Sequence, residues 1–468
     1  MYEVGQLIGG SWTPGSGARI LTTKSPFTGD PVTTVTVASE ADVAAAVKAA
    51  RDAAPAWGRT AAGERAAALR AAADAVEAAT DELAEIMSAE MGKPVDGAKE
   101  SVGAGAGTLR QYAELGPAHR GRTLAGDDAA IDLMAYGPRG VVAVITPWND
   151  PVAVSCGLLG AALVTGNAVV HKPSERTPAT GRRLAELLAP HLPDGVLALL
   201  SGDGEVGAAL AAAEVDVVAH VGSTATGRAI AAACARTGAK ALLENGGSDP
   251  LIVDAGVDPG WAAQQAALGA FANSGQICVA VERIYVHRDV APAFLDALAA
   301  AADGWAGHLG PLVDRRLRDA VHAQVSAAAE AGARVLRGGV VPDGPGAWYP
   351  PTVLAGCTDD MAVLREETFG PVAPVVTVDS FESALARAAD SPYGLAATVL
   401  TGSMSHAQQA WRELPVGTVK VNAVFGGAPG GAAHPRRGSG QGFGYGPELL
   451  DELTVTKAVH LQPPPPGW

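Results

Sequence analysis

The chain has 468 residues, a length that favours two or three domains with a cleft between them. Hydrophobic residues make up 48% and charged residues 18%, a composition that excludes a disordered chain. The formal net charge is −15, so the overall field repels phosphate groups and no nucleic acid or acidic membrane partner is expected.

The cysteines indicate a reducing cytoplasm. They lie far apart without Cys-x-x-Cys spacing or paired histidines, so neither a metal site nor a disulfide framework is expected; they are Cys156, Cys234, Cys278 and Cys357. The start, Met1 to Val4, lacks the features of a secretory signal, and we expect no export. Residues 152–170 are uncharged over nearly the length of a membrane span, but the Gly166-Asn167 turn divides them into a helix and a buried strand.

In chain order, the first predicted elements are short strands joined by turns within residues 8–30. Residues 40–90 are rich in alanine and carry apolar residues at three- and four-residue steps, which predicts helices. Gly92-Lys93-Pro94 ends this region, and a further helix is predicted to about Leu115.

From Gly140 to Glu244 the pattern changes to alternating strands and helices. The predicted strands are 141–145, 168–171, 196–199, 215–220 and 241–244, and the helices begin at 151, 178, 205 and 225. Such alternation predicts a parallel sheet covered on both faces, which binds ligands at the carboxyl ends of its strands. A second block of this kind is predicted over about 246–424.

Three residues in loops are candidates for chemistry. Cys278 follows a turn-prone segment and could be a nucleophile, although a lone cysteine is more often a small buried apolar group. Glu244 ends a predicted strand before Gly246-Gly247 and could be a general base or a solvated carboxylate. Asn149 could cap the following helix or direct its amide into a cleft.

Six short motifs in a fixed order carry a family resemblance. They are Gly140-Val141-Val142 with Thr146-Pro147-Trp148-Asn149, Lys172-Pro173-Ser174-Glu175, Gly222-Ser223-Thr224 with Gly227, Glu244-Asn245-Gly246-Gly247, Gly275-Gln276-Ile277-Cys278 and Glu367-Thr368-Phe369-Gly370-Pro371-Val372. With them, the chain resembles the NAD(P)-dependent aldehyde dehydrogenase superfamily from about Trp12 to Leu461.

The resemblance implies an α/β fold with three parts. These are a Rossmann-like NAD-binding domain (1–119 and 140–245), an α/β catalytic domain (246–430) and a small β oligomerisation arm with the C-terminal tail (120–139 and 431–468). In relatives the arm completes a neighbour's sheet, so a homodimer or homotetramer is expected.

The resemblance also implies the chemistry. Cys278 would attack the aldehyde carbon, the Asn149 side chain and the Cys278 N–H would hold the oxyanion, and Glu244 would activate water to hydrolyse the thioester. The expected reaction is oxidation of an aldehyde to a carboxylic acid with reduction of NAD. Residues 278–283 are similar to branches that act on succinate semialdehyde and on aliphatic aldehydes.

For the cofactor, the resemblance implies that Lys172 and Glu175 contact the adenosine ribose and Ser223 the pyrophosphate. Glu367 would hold the nicotinamide ribose, with Phe369 beside the ring. The further cofactor-binding positions are Thr146, Trp148, Ser174, Gly202, Gly222 and Gly246. A carboxylate at Glu175 accepts hydrogen bonds from ribose hydroxyls and repels a 2′-phosphate, so NAD is expected over NADP.

The chain departs from the family pattern at three places. Asn245 and Ser248 stand beside the catalytic glutamate where many relatives have Leu and Lys, Lys420 replaces an aromatic residue, and 433–442 lacks the usual Arg-Glu. A CoA-acylating semialdehyde dehydrogenase and a catalytically retired binding protein are therefore the alternative interpretations, although Glu244 argues against the first. His171, His220 and His287 are expected to be hydrogen-bonded structural groups.

Overall fold

The computed structural model describes residues 1–427, 431–432, 434–464 and 467. The helices are α1 (Glu40–Arg59), α2 (Ala62–Ala78), α3 (Thr80–Met91), α4 (Val95–Ala118), α5 (Pro151–Val164), α6 (Pro178–Leu188), α7 (Gly204–Ala211), α8 (Thr224–Thr237), α9 (Pro259–Phe271), α10 (Ala291–Trp305), α11 (Arg315–Glu330), α12 (Phe381–Ala389), α13 (Met404–Glu413) and α14 (Glu448–Glu452). The strands are β1 (Tyr2–Val4), β2 (Gln6–Ile8), β3 (Ser11–Thr13), β4 (Ile20–Lys24), β5 (Pro31–Thr36), β6 (Arg122–Leu124), β7 (Ile131–Pro138), β8 (Val141–Ile145), β9 (Ala168–Lys172), β10 (Leu197–Leu199), β11 (Val217–Val221), β12 (Lys240–Glu244), β13 (Asp249–Val253), β14 (Val281–His287), β15 (Arg334–Arg337), β16 (Thr352–Ala355), β17 (Val372–Val378), β18 (Ala396–Leu400), β19 (Thr418–Val421), β20 (Gly440–Gln441) and β21 (Thr454–Leu461).

The first large sheet confirms the parallel α/β pattern predicted for 140–244. Its strand order is β20-β12-β11-β8-β9-β10-β2-β3, and the strands from β12 to β10 are parallel. Buried apolar residues of α2, α4 and α5 pack on one face and those of α1 and α8 on the other. The carboxyl ends of these strands share one edge, which places Thr146, Lys172, Gly222 and Glu244 along it.

The second large sheet has the order β15-β16-β17-β14-β13-β18-β19, and its strands are parallel except for the β15–β16 pair. Helices α9 and α10 cover one face, and α11, α12 and α13 cover the other. Cys278 lies in the connection between α9 and β14, at the edge that faces the first sheet's strand ends.

A small antiparallel sheet, β21-β7-β6, joins residues 122–138 to the C-terminal strand. Strand β20 also comes from the C-terminal segment, but it pairs with β12 of the first sheet. Residues 428–430 and 433, together with part of the C-terminal tail, lie outside the described residues.

The uncharged run at 152–170 forms α5 and the start of β9, with the turn at Gly166 between them, as predicted. Both elements are almost completely buried in the first core. Among the described residues, the structure contains no helix that is both long and apolar enough to cross a membrane.

Candidate active site

The loop that carries Cys278 has an unusual backbone. Asn273 and Ser274 have φ angles of 49° and 57°, in the left-handed region that costs a non-glycine residue roughly 1–3 kcal/mol. The surrounding structure holds them there: the Gln276 N–H donates to Asn273 O at 3.1 Å, and Ser274 Oγ donates to Gly310 O at 2.7 Å. This conformation leaves Cys278 half-buried, accessible from the cleft.

Asn149 contacts this loop rather than capping α5. Its side-chain amide donates to Gln276 O at 3.0 Å, and the amide of Asn273 donates to the same carbonyl at 3.1 Å. Asp150, not Asn149, occupies the N-cap position of α5, and its side chain makes no capping hydrogen bond. The Asn149 amide is therefore fixed two residues before Cys278.

Glu244 lies at the carboxyl end of β12, with its carboxylate packed against Gly444. A Cβ atom at position 444 would lie 2.8 Å from Glu244 Oε2, so only glycine leaves this space free. Burial raises the pKa of Glu244 above its ordinary value. Its carboxylate has no hydrogen-bond partner among the described residues, which leaves it available to a substrate or water.

The electrostatic surroundings of Cys278 disfavour its thiolate form. Burial raises its pKa strongly, and the nearby carboxylates of Glu244, Asp249 and Glu367 raise it further. Burial lowers the pKa of Lys420, while Asp249 and Cys278 favour its charged form. Thus the family departure at Lys420 places a cation in the neighbourhood of the thiol.

A cavity of about 740 Å³ lies at the carboxyl edge of the first sheet. Helix α8 begins at this cavity, and Ser223 Oγ accepts the Thr226 N–H there at 3.3 Å. Its free N–H groups and helix dipole favour phosphate. The predicted cofactor residues that line it are Thr146, Trp148, Lys172, Ser174, Glu175, Gly222 and Ser223.

His220 corrects one sequence expectation. It is buried, but neither ring nitrogen has a hydrogen-bond partner among the described residues, whereas His171 Nε2 lies 2.9 Å from Thr146 Oγ1. Burial lowers the pKa of His220 to about 4, so the ring is neutral. His220 lines the cavity, but both ring nitrogens are buried within its wall, a placement that strand-end position alone does not reveal.

Two predicted cofactor glycines lie outside the lining of this cavity. A Cβ atom at Gly202 would lie 2.4 Å from Val206 Cγ2, so this glycine permits close packing at the start of α7. A Cβ atom at Gly246 would lie 2.4 Å from Glu367 Oε2, and the Gly247 N–H donates to Glu367 Oε1 at 3.0 Å. Gly246 therefore leaves the space that the Glu367 carboxylate occupies, and Gly247 donates a hydrogen bond to it.

Glu367 and Phe369 do not line this cavity, but Phe369 contacts Trp148 in its wall and Glu367 contacts the Gly246-Gly247 pair. Burial raises the pKa of Glu367 to about 7. The Phe369 ring meets Trp148 edge-on at 5.5 Å, and the Arg176 guanidinium lies 5.1 Å from the centre of the Trp148 ring. This stack connects the cavity wall to the loop that carries Glu367.

Sequence reasoning missed two groups beside the site. Glu282 accepts hydrogen bonds from the N–H groups of the loop that carries Phe369, and nothing in its sequence context pointed to that role. Asp150 accepts a hydrogen bond from Ser101 and lies 3.7 Å from the ammonium group of Lys93. Its position directly after Asn149 was the only sequence signal for this second group.

Comparisons with known proteins agree on one family. The sequence model of the "Aldehyde dehydrogenase family" matches residues 12–459. A protein of Mycolicibacterium smegmatis, provisionally named an NADP(+)-linked succinate-semialdehyde dehydrogenase, is 36% identical over 462 residues, covering 94% of this chain and 89% of its own length. An NAD-dependent aldehyde dehydrogenase from Sinorhizobium meliloti superimposes with a TM-score of 0.95 at 33% identity, covering 100% and 96% of the two chains. An indole-3-acetaldehyde dehydrogenase of P. syringae, solved as a mutant with NAD+ and IAA, has a TM-score of 0.96 at 33% identity, covering 99% and 97%.

Proposed function

This chain belongs to the aldehyde dehydrogenase family and is an oxidoreductase that acts on aldehydes; we propose that it does so through a thioester on Cys278 that water hydrolyses. The overall reaction converts an aldehyde, NAD+ and water into a carboxylate, NADH and protons. The observation that carries this proposal is the meeting of Cys278, Asn149 and Glu244 beside a cavity that suits a dinucleotide.

In the proposed first step, Glu244 takes the thiol proton and Cys278 Sγ bonds to the aldehyde carbon. The resulting oxyanion accepts hydrogen bonds from Asn149 Nδ2 and the Cys278 N–H. NAD, when bound, supplies the acceptor for the hydride that this carbon loses. Glu244 releases the thiol proton to solvent and then takes a proton from water, whose oxygen attacks the thioester carbon while the Cys278 sulfur leaves as the thiolate.

For the cofactor, we propose NAD in preference to NADP. Lys172 is buried 3.6 Å from the half-exposed Glu175 carboxylate, an arrangement that suits two ribose hydroxyls. A phosphate at the 2′ position would meet the negative charge of Glu175. The Sinorhizobium enzyme is named as NAD-dependent and the Mycolicibacterium protein as NADP-linked, so a steady-state comparison is required. A higher kcat/KM with NADP would contradict the proposal, and Glu175→Gln should narrow the difference between the two cofactors.

For the substrate, we propose an aliphatic aldehyde or succinate semialdehyde. The name of the Mycolicibacterium relative and the cation at Lys420 favour the semialdehyde, whose carboxylate needs a positive partner. Turnover with a panel of aliphatic, aromatic and carboxylated aldehydes distinguishes these classes.

We also propose a homodimer or homotetramer in the cytoplasm, with the three-part domain division given above. Apolar side chains on the small antiparallel sheet support an interface, since Leu124, Ile131 and Val455 are 43%, 58% and 44% exposed. The four cysteines are free thiols, in keeping with a reducing compartment. Light scattering of the purified protein measures the oligomeric state, and a monomer at micromolar concentration would contradict this assignment.

The central test is NADH production at 340 nm with wild type, Cys278→Ala and Glu244→Gln. We expect steady turnover in wild type, none in Cys278→Ala and at most a stoichiometric burst in Glu244→Gln. Release of acyl-CoA rather than free acid in the presence of CoA would favour the acylating alternative. If no aldehyde supports turnover and Cys278 shows no cofactor-dependent labelling, the chain is a retired relative.

A further inference from the structure

A buried carboxylate lies behind the loop that carries Glu367 and Phe369. Glu282 is only 5% exposed, yet its two oxygens accept hydrogen bonds from successive backbone N–H groups. Glu282 Oε2 accepts from the Thr368 N–H at 3.0 Å, and Oε1 accepts from the Phe369 N–H at 2.8 Å. A buried carboxylate needs such partners, because an unpaired one would lose its hydration without compensation.

The loop requires hydrogen bonds on both sides because its backbone is strained. Phe369 has a φ angle of 53°, which a bulky residue adopts only when its surroundings enforce it. On the opposite side, Thr368 Oγ1 donates to Gln324 Oε1 at 2.8 Å, and Gln324 Nε2 donates to Glu367 O at 3.3 Å. The loop is thus held between Gln324 of α11 and Glu282 of β14.

Glu282 also belongs to the segment that carries the nucleophile. It lies four residues after Cys278 and is the second residue of β14, at a register shift in the pairing with β13; pairing with β17 begins two residues later, at Ile284. Glu282 therefore lies where the loop from Cys278 enters the sheet. The same short stretch of chain fixes the position of Cys278 and, through Glu282, that of Glu367 and Phe369.

We propose that Glu282 is a positioning residue that holds Glu367 and Phe369 in the geometry in which they receive the nicotinamide end of the cofactor beside Cys278. This inference rests on the proposed cofactor roles of Glu367 and Phe369. Glu282 itself touches neither the cofactor nor the substrate. It acts through two backbone hydrogen bonds and the enforced turn at Phe369.

The isosteric substitution Glu282→Gln tests this role. A glutamine retains the volume, but its oxygen can accept only one of the two N–H groups, and its own NH2 then opposes the other. Losing one of the two backbone hydrogen bonds and relaxing the Phe369 turn should weaken NADH binding by about tenfold. The aldehyde side of the site should not change, because among the described residues the Glu282 side chain is hydrogen-bonded to Thr368 and Phe369 and not to Asn149 or Gln276.

The experiment measures NADH affinity directly, by fluorescence titration of wild type, Glu282→Gln, Glu282→Asp and Glu366→Gln. Glu366 is an exposed carboxylate next to Glu367 and provides the matched control. A second measurement is the rate at which iodoacetamide alkylates Cys278 without cofactor, and melting temperatures verify folding. We expect weaker NADH binding in both Glu282 variants, unchanged binding in Glu366→Gln, and unchanged alkylation in all of them.

Each outcome decides between explanations. A folded Glu282→Gln enzyme that binds NADH as tightly as wild type would overturn the inference. A change in the rate of cofactor-free Cys278 alkylation as large as the change in NADH affinity would also overturn it, since Glu282 would then act on the Cys278 segment. If Glu282→Gln does not fold, Glu282→Asp, which keeps the carboxyl group but shortens the side chain, carries the same test. Failure of the wild type to bind NADH would instead refute the proposed function.

Discussion

Replacing Gly444 by alanine tests the placement of Glu244 without altering any reacting group. A Cβ atom at this position would lie 2.8 Å from Glu244 Oε2 and 3.1 Å from its Cδ, and the three nearest atoms all belong to Glu244. Ordinary contacts begin at 3.4 Å, so the carboxylate must retreat by about 0.6 Å. The end of a glutamate side chain can make this movement, so the fold should tolerate the substitution.

The expected kinetic effect follows from that displacement. Misplacing a catalytic group by 1 Å costs on the order of a hundredfold in rate, so a shift of about 0.6 Å should lower kcat roughly tenfold. Because Glu244 is proposed to activate the hydrolytic water, thioester hydrolysis should suffer most. Rapid mixing with NAD and aldehyde should therefore show a burst of NADH followed by slow turnover in Gly444→Ala.

The matched control is Gly63→Ala on α2, where an added Cβ atom would meet nothing within 4 Å. Both variants should melt close to the wild-type temperature, and Gly63→Ala should retain full activity. Unchanged kcat in a folded Gly444→Ala enzyme would refute the reasoning, because the Glu244 carboxylate would then work from another position. A large fall in melting temperature would refute the assumption that only the Glu244 side chain moves to relieve the close contact with the added Cβ atom.

Three further perturbations address the site and its support. Burial raises the pKa of Glu90 to about 7. Protonated Glu90 therefore stabilises the fold fully below about pH 4.5, and the free energy of unfolding falls by roughly 3 kcal/mol as the pH rises through 7. Because the glutamine of Glu90→Gln cannot titrate, the melting temperature of this variant relative to that of wild type should rise between pH 5 and pH 7.5. A difference in melting temperature that is constant over this range would contradict the prediction. His220→Leu should raise KM for NAD without changing KM for the aldehyde, because the imidazole packs against Gly222 in the cavity wall and the bulkier, branched leucine would displace that glycine; an unchanged KM for NAD would place the cofactor elsewhere. Lys420→Met should shift the pH profile of Cys278 alkylation to higher pH, because the thiolate loses a nearby positive charge, whereas Lys420→Arg should preserve it; identical profiles for all three proteins would exclude this coupling.

The sequence was most informative where a local pattern determines the structure. The strand–helix alternation from Gly140 onward predicted that β8 to β12 form a parallel sheet, since such units must cross over on the sheet faces; it did not predict their order. It also placed Thr146, Lys172 and Gly222 at one edge, because carboxyl ends of parallel strands coincide there. The motif order then added roles that periodicity could not assign.

Contacts between distant segments were beyond such reasoning. The burial of the His220 ring nitrogens and the hydrogen bonds from the Thr368 and Phe369 N–H groups to Glu282 depend on what packs against each side chain, which no local pattern encodes. The fit of Gly444 against Glu244 joins residues 200 positions apart in the chain. Even Pro55, usually a helix breaker, lies inside α1 without ending it, because tertiary packing outweighs local preference.

The departure from the family pattern at Asn245 fits the C-terminal segment around Ser439 in the structure. The Asn245 side chain points away from the base and donates to Gly438 O at 3.1 Å, while its own N–H donates to Ser439 O at 2.8 Å. Ser439 Oγ in turn donates to Gly246 O at 2.8 Å, and Gly227 provides the space that Asn245 Oδ1 fills. Asn245 thus holds the strand end that carries the proposed base to the C-terminal segment. A residue that in isolation suggests a drifting, retired enzyme therefore has a structural role beside the base, which argues against the retired interpretation.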